Sequence, residues 1–133
     1  MRNRNSFEDV PVIFSYTRAQ AIEDGVLVDI TEWAKEVGFK FPVACTAAVW
    51  QGHIVPPAGT KELGQSERGR AHDLLWVLRC AIRASREARS DLVHFEVAFT
   101  TRAEKTETVK LKSICGPGDQ GEPVVTIMLP DED

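Results

Sequence analysis

Two groups of polar residues have the side chains and the spacing that binding or chemistry would require. The first group is made of arginines, a histidine and a tryptophan within one helix-forming stretch: Arg68, His72, Trp76, Arg79, Arg83 and Arg86. At 100° per residue these side chains cluster around Trp76, on the side of the helix opposite its apolar stripe. An aromatic ring among arginines is an arrangement that binds phosphates and stacked bases. We therefore predict an Arg/Trp surface, defined by these six residues, that binds a nucleic acid or an acidic protein surface.

The same Arg/Trp surface has two further interpretations. Most charged stripes on amphipathic helices are only solvated faces, and Trp76 would then tuck under a neighbouring short helix. Alternatively, the arginines bind the acidic remaining surface of a second copy of the chain. A homo-oligomer is therefore a further possibility.

The second group combines a tyrosine, an arginine and two carboxylates: Tyr16, Arg18, Asp24 and Asp29. These side chains are able to line a small polar pocket, in which the guanidinium fork of Arg18 holds a carboxylate or a phosphate. A structural interpretation competes with this one, because aspartates at helix boundaries commonly serve as caps. Arg18 would then simply pair with one of the two acids.

No spacing typical of a catalytic or metal site is present. The three histidines and the three cysteines are scattered, with no C-x-x-C motif and no Cys/His ligand pattern: His53, His72, His94, Cys45, Cys80 and Cys115. We expect no metal and no cofactor, and three reduced thiols in a cytoplasmic protein. The leading hypothesis is a non-enzymatic binding protein; the alternative is a small enzyme of unknown reaction that uses the pocket around Arg18.

Composition sets the frame for both hypotheses. The chain has 133 residues, is 43% hydrophobic and 27% charged, and carries a net charge of −4. This length predicts one domain over residues 10–133, preceded by a disordered tail at 1–9. The negative charge argues against a general nucleic-acid coat. No apolar run is long enough to span a bilayer and no secretory signal is visible, so we expect a cytoplasmic protein with no membrane partner.

Local patterns predict the elements that position these residues. Thr17 and Gly25 bound a short helix, and Thr31 and Gly38 bound a second. Residues 26–30 between them read as a strand or an extended lead-in, and a third short helix is predicted from Pro42 through Trp50. Residues 10–16 are rich in β-formers and are expected to add an edge strand.

The C-terminal half has the clearest periodicity. Residues 67–88 predict a long amphipathic helix with Leu78 in the middle of its apolar stripe. Strict alternation over 91–101 and β-rich runs at 106–114 and 124–129 predict three strands. The glycine-rich loop Cys115–Gly121 reads as a hairpin turn, because it lacks the context of a phosphate-binding loop. The predicted fold class is α+β: short N-terminal helices and one long amphipathic helix packed on a C-terminal antiparallel meander.

Three stretches together resemble a known family. These are Tyr16–Thr31, the segment from Gly69-Arg70 through Asp73-Leu74-Leu75-Trp76 to Arg83, and Gly116-Pro117-Gly118-Asp119 with Glu122-Pro123-Val124. The sequence resembles a family of small uncharacterised proteins, often encoded on plasmids, phages and other mobile elements. The resemblance implies a setting on mobile bacterial DNA, and it carries no assigned activity and no functional residues.

Overall fold

The computed structural model describes residues 16–85, 91–102 and 105–133, and in these ranges helices pack on a mixed sheet. The helices are α1 (Arg18–Glu23), α2 (Thr31–Val37), α3 (Ala47–Val49) and α4 (Glu67–Ala84); the strands are β1 (Leu27–Asp29), β2 (Val43–Thr46), β3 (Leu92–Arg102), β4 (Lys105–Pro117) and β5 (Pro123–Met128). A π-helical turn spans Trp50–Ile54 and a 3-10 turn spans Lys61–Leu63. The predicted tail, the β-rich segment before Tyr16, and Arg86 lie outside the described residues.

The five strands form one sheet in the order β1-β2-β5-β4-β3. The predicted C-terminal meander is confirmed, since β3 pairs antiparallel with β4 and β4 with β5. The sheet then continues beyond the meander: β2 joins β5 in parallel, and β1 pairs antiparallel with β2. The α+β class is therefore confirmed, and the sheet extends beyond the three strands of the predicted meander, with β1 inside the predicted strand or lead-in at 26–30.

The third predicted helix is wrong over its first half. Val43–Thr46 is strand β2, inserted between β1 and β5, and the chain turns helical only at Ala47. The side chains of Val43, Ala44 and Cys45 are at most 1% exposed, so both faces of this strand are covered. Small and β-branched side chains suit such a position, and the pairing with two strands outweighs a weak local preference for helix.

Helix α4 supplies the centre of the core. Its N-cap is Ser66, whose hydroxyl accepts from the backbone N–H of Gly69 at 3.0 Å. The apolar stripe packs on the sheet as predicted, with Leu74, Leu75 and Leu78 all 0% exposed. Neither α4 nor any other helix within the described ranges is long and apolar enough to cross a bilayer.

A buried arginine at the start of α4 ties three segments together. Arg70 is only 2% exposed. Its Nε donates to the carbonyl of His53 at 2.7 Å, and its Nη1 donates to the carbonyl of Thr100 at 2.7 Å. The guanidinium also lies 4.7 Å from the ring centroid of Phe99. Arg70 therefore joins α4 to the π-helical turn and to β3.

The three cysteines are free and differ in exposure, which predicts an order of reaction. Cys80 is exposed, Cys115 is half-buried and Cys45 is buried. Burial raises the pKa of the Cys45 thiol to about 12, so little thiolate forms there at neutral pH. In the folded protein a thiol reagent such as Ellman's should react first at Cys80, then at Cys115, and not at Cys45. Unfolding should release all three thiols, and rapid reaction of Cys45 in the folded protein would contradict this burial.

Candidate ligand-binding cavity

A cavity of about 580 Å³ opens beside the C-terminal half of α4. Three parts of the fold wall it: α4 itself, the connection between α2 and β2 at residues 38–41, and the sheet face formed by β3, β4 and β5. The walls that face its interior are mainly apolar and include Phe39, Ile82, Val93 and Val125. The volume lies within the range of about 300–1,000 Å³ that small-molecule sites occupy.

Arg79 is placed at the cavity by its neighbours on both sides. Its guanidinium lies 5.5 Å from the ring centroid of Trp76, one helical turn earlier on α4. On the other side, α2 ends at Gly38 with φ 110°. A Cβ at this glycine would sit 3.1 Å from Nε of Arg79. Gly38 therefore gives the left-handed turn that ends α2 and also the space in which Arg79 lies.

The cavity has an excess of positive charge. Of the described lining residues, Arg79, Arg83 and Lys40 are cationic and Asp91 alone carries a carboxylate. Within the described part of the chain, none of the three cations has a carboxylate within 4 Å. Because Arg83 and Lys40 are also exposed, their charge is available to a ligand that enters the cavity.

The structure divides the predicted Arg/Trp surface. Arg68 donates through Nη2 to both carboxylate oxygens of Glu36 at 2.7 Å, so a neighbour on α2 neutralises it. His72 is exposed on α4, and Trp76 is 51% exposed rather than tucked under a short helix. The face thus keeps its aromatic ring, while two of its arginines, Arg79 and Arg83, belong to the cavity.

The second predicted group separates into two pairs. The Tyr16 hydroxyl donates to Oδ2 of Asp24 at 2.6 Å, and this hydrogen bond raises the pKa of the tyrosine. Arg18 and Asp29 instead line a different, smaller cavity of about 180 Å³. The structure does not place the four side chains around one pocket.

The guanidinium of Arg18 is committed to the sheet. It donates to Oγ1 of Thr126 at 2.7 Å and to the carbonyl of Val125 at 2.9 Å. Burial lowers its pKa, and the nearby carboxylates of Asp29 and Asp119 oppose that shift. Arg18 therefore fastens α1 to the sheet face that points away from α4.

Two aspartates accept backbone hydrogen bonds at helix starts; the structural interpretation named only Asp29 for such a role, and it did not foresee Asp119. Asp119, in the predicted hairpin turn, accepts from the backbone N–H of Arg18 at 2.7 Å and of Ala19 at 3.0 Å. Those hydrogen bonds lower the pKa of the Asp119 carboxyl. Asp29 accepts from the backbone N–H of Thr31 at 2.9 Å at the start of α2. The described residues contain no group of three or more His, Cys, Asp or Glu able to hold a metal ion.

Sequence reasoning did not single out the cavity or most of its lining. Phe39 and Lys40 lie in a short connection without a pattern, and their role depends on where the fold places that connection relative to α4. Ser113 did leave a signal, because it interrupts the apolar alternation Val109, Leu111 of β4. Arg70 also gave a sequence signal of burial, because it lies four residues before Leu74 and therefore on the apolar stripe of α4.

Comparison with known protein families gives a match that spans nearly the whole chain. The model of a family of unknown function, DUF6573, matches residues 3–133. No curated protein and no solved structure matches the chain.

Proposed function

Because the chain belongs to DUF6573, a family of unknown function, we propose its function from the geometry of the large cavity. We propose that the protein is a non-catalytic binding protein that takes up an amphipathic anionic ligand. One observation carries the proposal: an apolar cavity of about 580 Å³ is lined by three cations that have no carboxylate partner among the residues the structure describes.

The apolar walls favour the apolar body of such a ligand, and the cations favour its anionic group. Burying an apolar body against Phe39, Ile82 and Val125 is favourable by about 25 cal/mol per Å² of surface removed from water. An anionic group near Arg79 and Arg83 accepts charge-assisted hydrogen bonds, which are about twice as strong as neutral ones. A purely apolar or a cationic ligand would leave these arginines without an acceptor.

The geometry gives less support to the enzyme hypothesis. The pocket of that hypothesis requires a guanidinium of Arg18 that is free to bind a substrate. That guanidinium instead donates hydrogen bonds to Thr126 and Val125. Asp24 and Asp29 serve separate local contacts. Binding at Arg79 and Arg83 is therefore the function we favour.

The geometry also favours a small ligand over a nucleic acid. A backbone of phosphates needs a row of free cations along a surface. Glu36 neutralises Arg68, and the two remaining arginines of the described part of the surface lie at a concave site. The binding experiment must therefore distinguish binding of a nucleic acid from binding of a small ligand.

The cellular setting is part of the proposal. Three free thiols suit a reducing compartment, so we place the protein in the cytoplasm. The resemblance of the sequence to proteins of plasmids and phages supports a role as an accessory protein of a mobile genetic element.

Removing both arginines is expected to weaken ligand binding by at least about tenfold, or about 1.4 kcal/mol. The probe is anilinonaphthalene sulfonate, an amphipathic anion whose fluorescence rises in apolar sites, titrated against the protein and the variant Arg79→Ala with Arg83→Ala. Decanoate should displace the probe from the unchanged protein, whereas decyltrimethylammonium should not. Binding should weaken as salt is raised, because salt screens the charge attraction.

The matched control removes two positive charges elsewhere. Arg102 and Lys110 are exposed on β3 and β4 and do not line the cavity, so Arg102→Ala with Lys110→Ala should leave binding unchanged. Equal loss in both double variants would contradict a specific site. A short oligonucleotide that binds through Arg79 and Arg83 while decanoate does not bind would overturn the small ligand in favour of nucleic acid.

A further inference from the structure

Within the described part of the chain, one buried polar side chain that lines the cavity has no hydrogen-bond partner. The buried polar or charged residues of the described chain are Thr60, Arg70 and Ser113. The Thr60 hydroxyl donates to the carbonyl of Pro57 at 2.6 Å, and Arg70 donates to two backbone carbonyls. Ser113 is 2% exposed, and within the described residues its hydroxyl makes no hydrogen bond.

The position of Ser113 on β4 places its side chain on the face of the sheet that lines the cavity. Its backbone pairs with Val93 of β3 and Ile127 of β5, both members of the core that α4 covers. Side chains alternate along a strand, so Ser113 shares this face with Leu111 and with Cys115, which also lines the cavity. Burying a hydroxyl without a hydrogen bond is unfavourable, and a hydrogen bond from a ligand atom in the cavity would offset that cost.

The hydroxyl and the arginines lie on different walls of the same space. Ser113 belongs to the sheet, whereas Arg79 and Arg83 belong to α4. The apolar side chains of Ile82, Val93 and Val125 line the same space. A ligand that satisfies both walls therefore needs an anionic group and a separate polar atom joined by a hydrocarbon body.

We propose that the ligand is a carboxylic acid whose apolar body carries a hydroxyl or carbonyl oxygen that hydrogen bonds with Oγ of Ser113. This inference rests on the proposed function and deepens it, because it names the class of ligand for the same cavity. The carboxylate pairs with Arg79 and Arg83, and the second oxygen takes the partner that the protein does not supply. An unsubstituted fatty acid meets only the first of these requirements.

The test compares two ligands that differ by one hydroxyl. Calorimetry measures the affinities of decanoate and ω-hydroxydecanoate for the unchanged protein and for Ser113→Ala. The corresponding octanoate and dodecanoate pairs vary the length of the ligand. For the length that fits, Ser113→Ala should weaken the hydroxylated acid about tenfold and leave the unsubstituted acid within about threefold. Ser113→Thr, which keeps a hydroxyl, should restore the preference for the hydroxylated acid.

A second serine of the cavity is the control. Ser85 also lines it, but its hydroxyl already donates to the carbonyl of Ile82 at 3.1 Å. Ser85→Ala should therefore leave the ratio of the two affinities unchanged. Thermal unfolding of ligand-free Ser113→Ala should show no loss of stability, because the variant removes an unpaired buried hydroxyl.

The outcomes separate this inference from the function on which it rests. If both acids bind through Arg79 and Arg83 but Ser113→Ala changes them equally or not at all, the role of Ser113 is overturned and the binding function stands. If neither acid binds the unchanged protein, the proposed function fails and the inference fails with it.

Discussion

Replacing Leu78 with alanine is expected to lower the free energy of unfolding by about 2–5 kcal/mol. Leu78 is 0% exposed and lies in the middle of the buried stripe of α4. The substitution removes apolar surface from the core, and the rigid sheet beneath α4 limits how far the structure can close the resulting space. Urea denaturation followed by tryptophan fluorescence measures the change.

The control for Leu78 is the same substitution at an exposed leucine. Leu63, in the 3-10 turn, is 46% exposed, so Leu63→Ala should change stability by no more than about 0.5 kcal/mol. A loss below about 1 kcal/mol for Leu78→Ala would mean that α4 does not pack on the sheet through this stripe.

Replacing Arg70 with methionine is expected to cost about 2–4 kcal/mol. Methionine keeps much of the volume but donates no hydrogen bond, so the carbonyls of His53 and Thr100 both lose a charged donor at 2.7 Å. The contact of the guanidinium with the Phe99 ring is lost as well. These contacts join three segments, so their loss should also reduce the cooperativity of unfolding.

The exposed Arg102 is the matched control for Arg70. Arg102→Met makes the same chemical change on β3 and should stay within about 0.5 kcal/mol of the unchanged protein. If the two variants lose equal stability, the guanidinium of Arg70 does not hold these segments together.

The elements with strong local patterns are the ones the sequence predicts. The alternation of Val93, Phe95, Val97 and Phe99 fixes which face of β3 is buried, and the structure has that register. The capping box of α1, in which Thr17 and Gln20 exchange hydrogen bonds, is similarly local. Contacts within a few residues decide such features, so they need no knowledge of the rest of the chain.

Strand β2 shows why other features could not be predicted. Ala44 and Cys45 have no strong preference for a strand, and Pro42 is typical of a helix start. Residues 43–46 form a strand because they pair with β5, about eighty residues away in the sequence. In this pairing Val43 lies opposite Val125. Only the tertiary arrangement supplies this information.

The cavity depends on the same kind of long-range arrangement. Arg79 and Arg83 were predicted to bind an anion, but as part of a surface, because helical periodicity shows which side of α4 they occupy and not what lies opposite. Placement of residues 38–41 beside α4 turns that side into a wall of a cavity. Ser113 interrupts the apolar alternation of β4, but the sequence does not show that its buried hydroxyl has no hydrogen-bond partner among the described residues.

Nuclear Overhauser effects between decanoate and the protein show whether an amphipathic anion binds inside this cavity. Contacts should appear from the decanoate chain to the methyl groups of Ile82, Val93 and Val125, which line the cavity. Val26, a valine that is 51% exposed elsewhere on the surface, should show none. Contacts to Val26 or other surface methyl groups, without contacts to the three cavity residues, would show that decanoate does not bind inside the cavity.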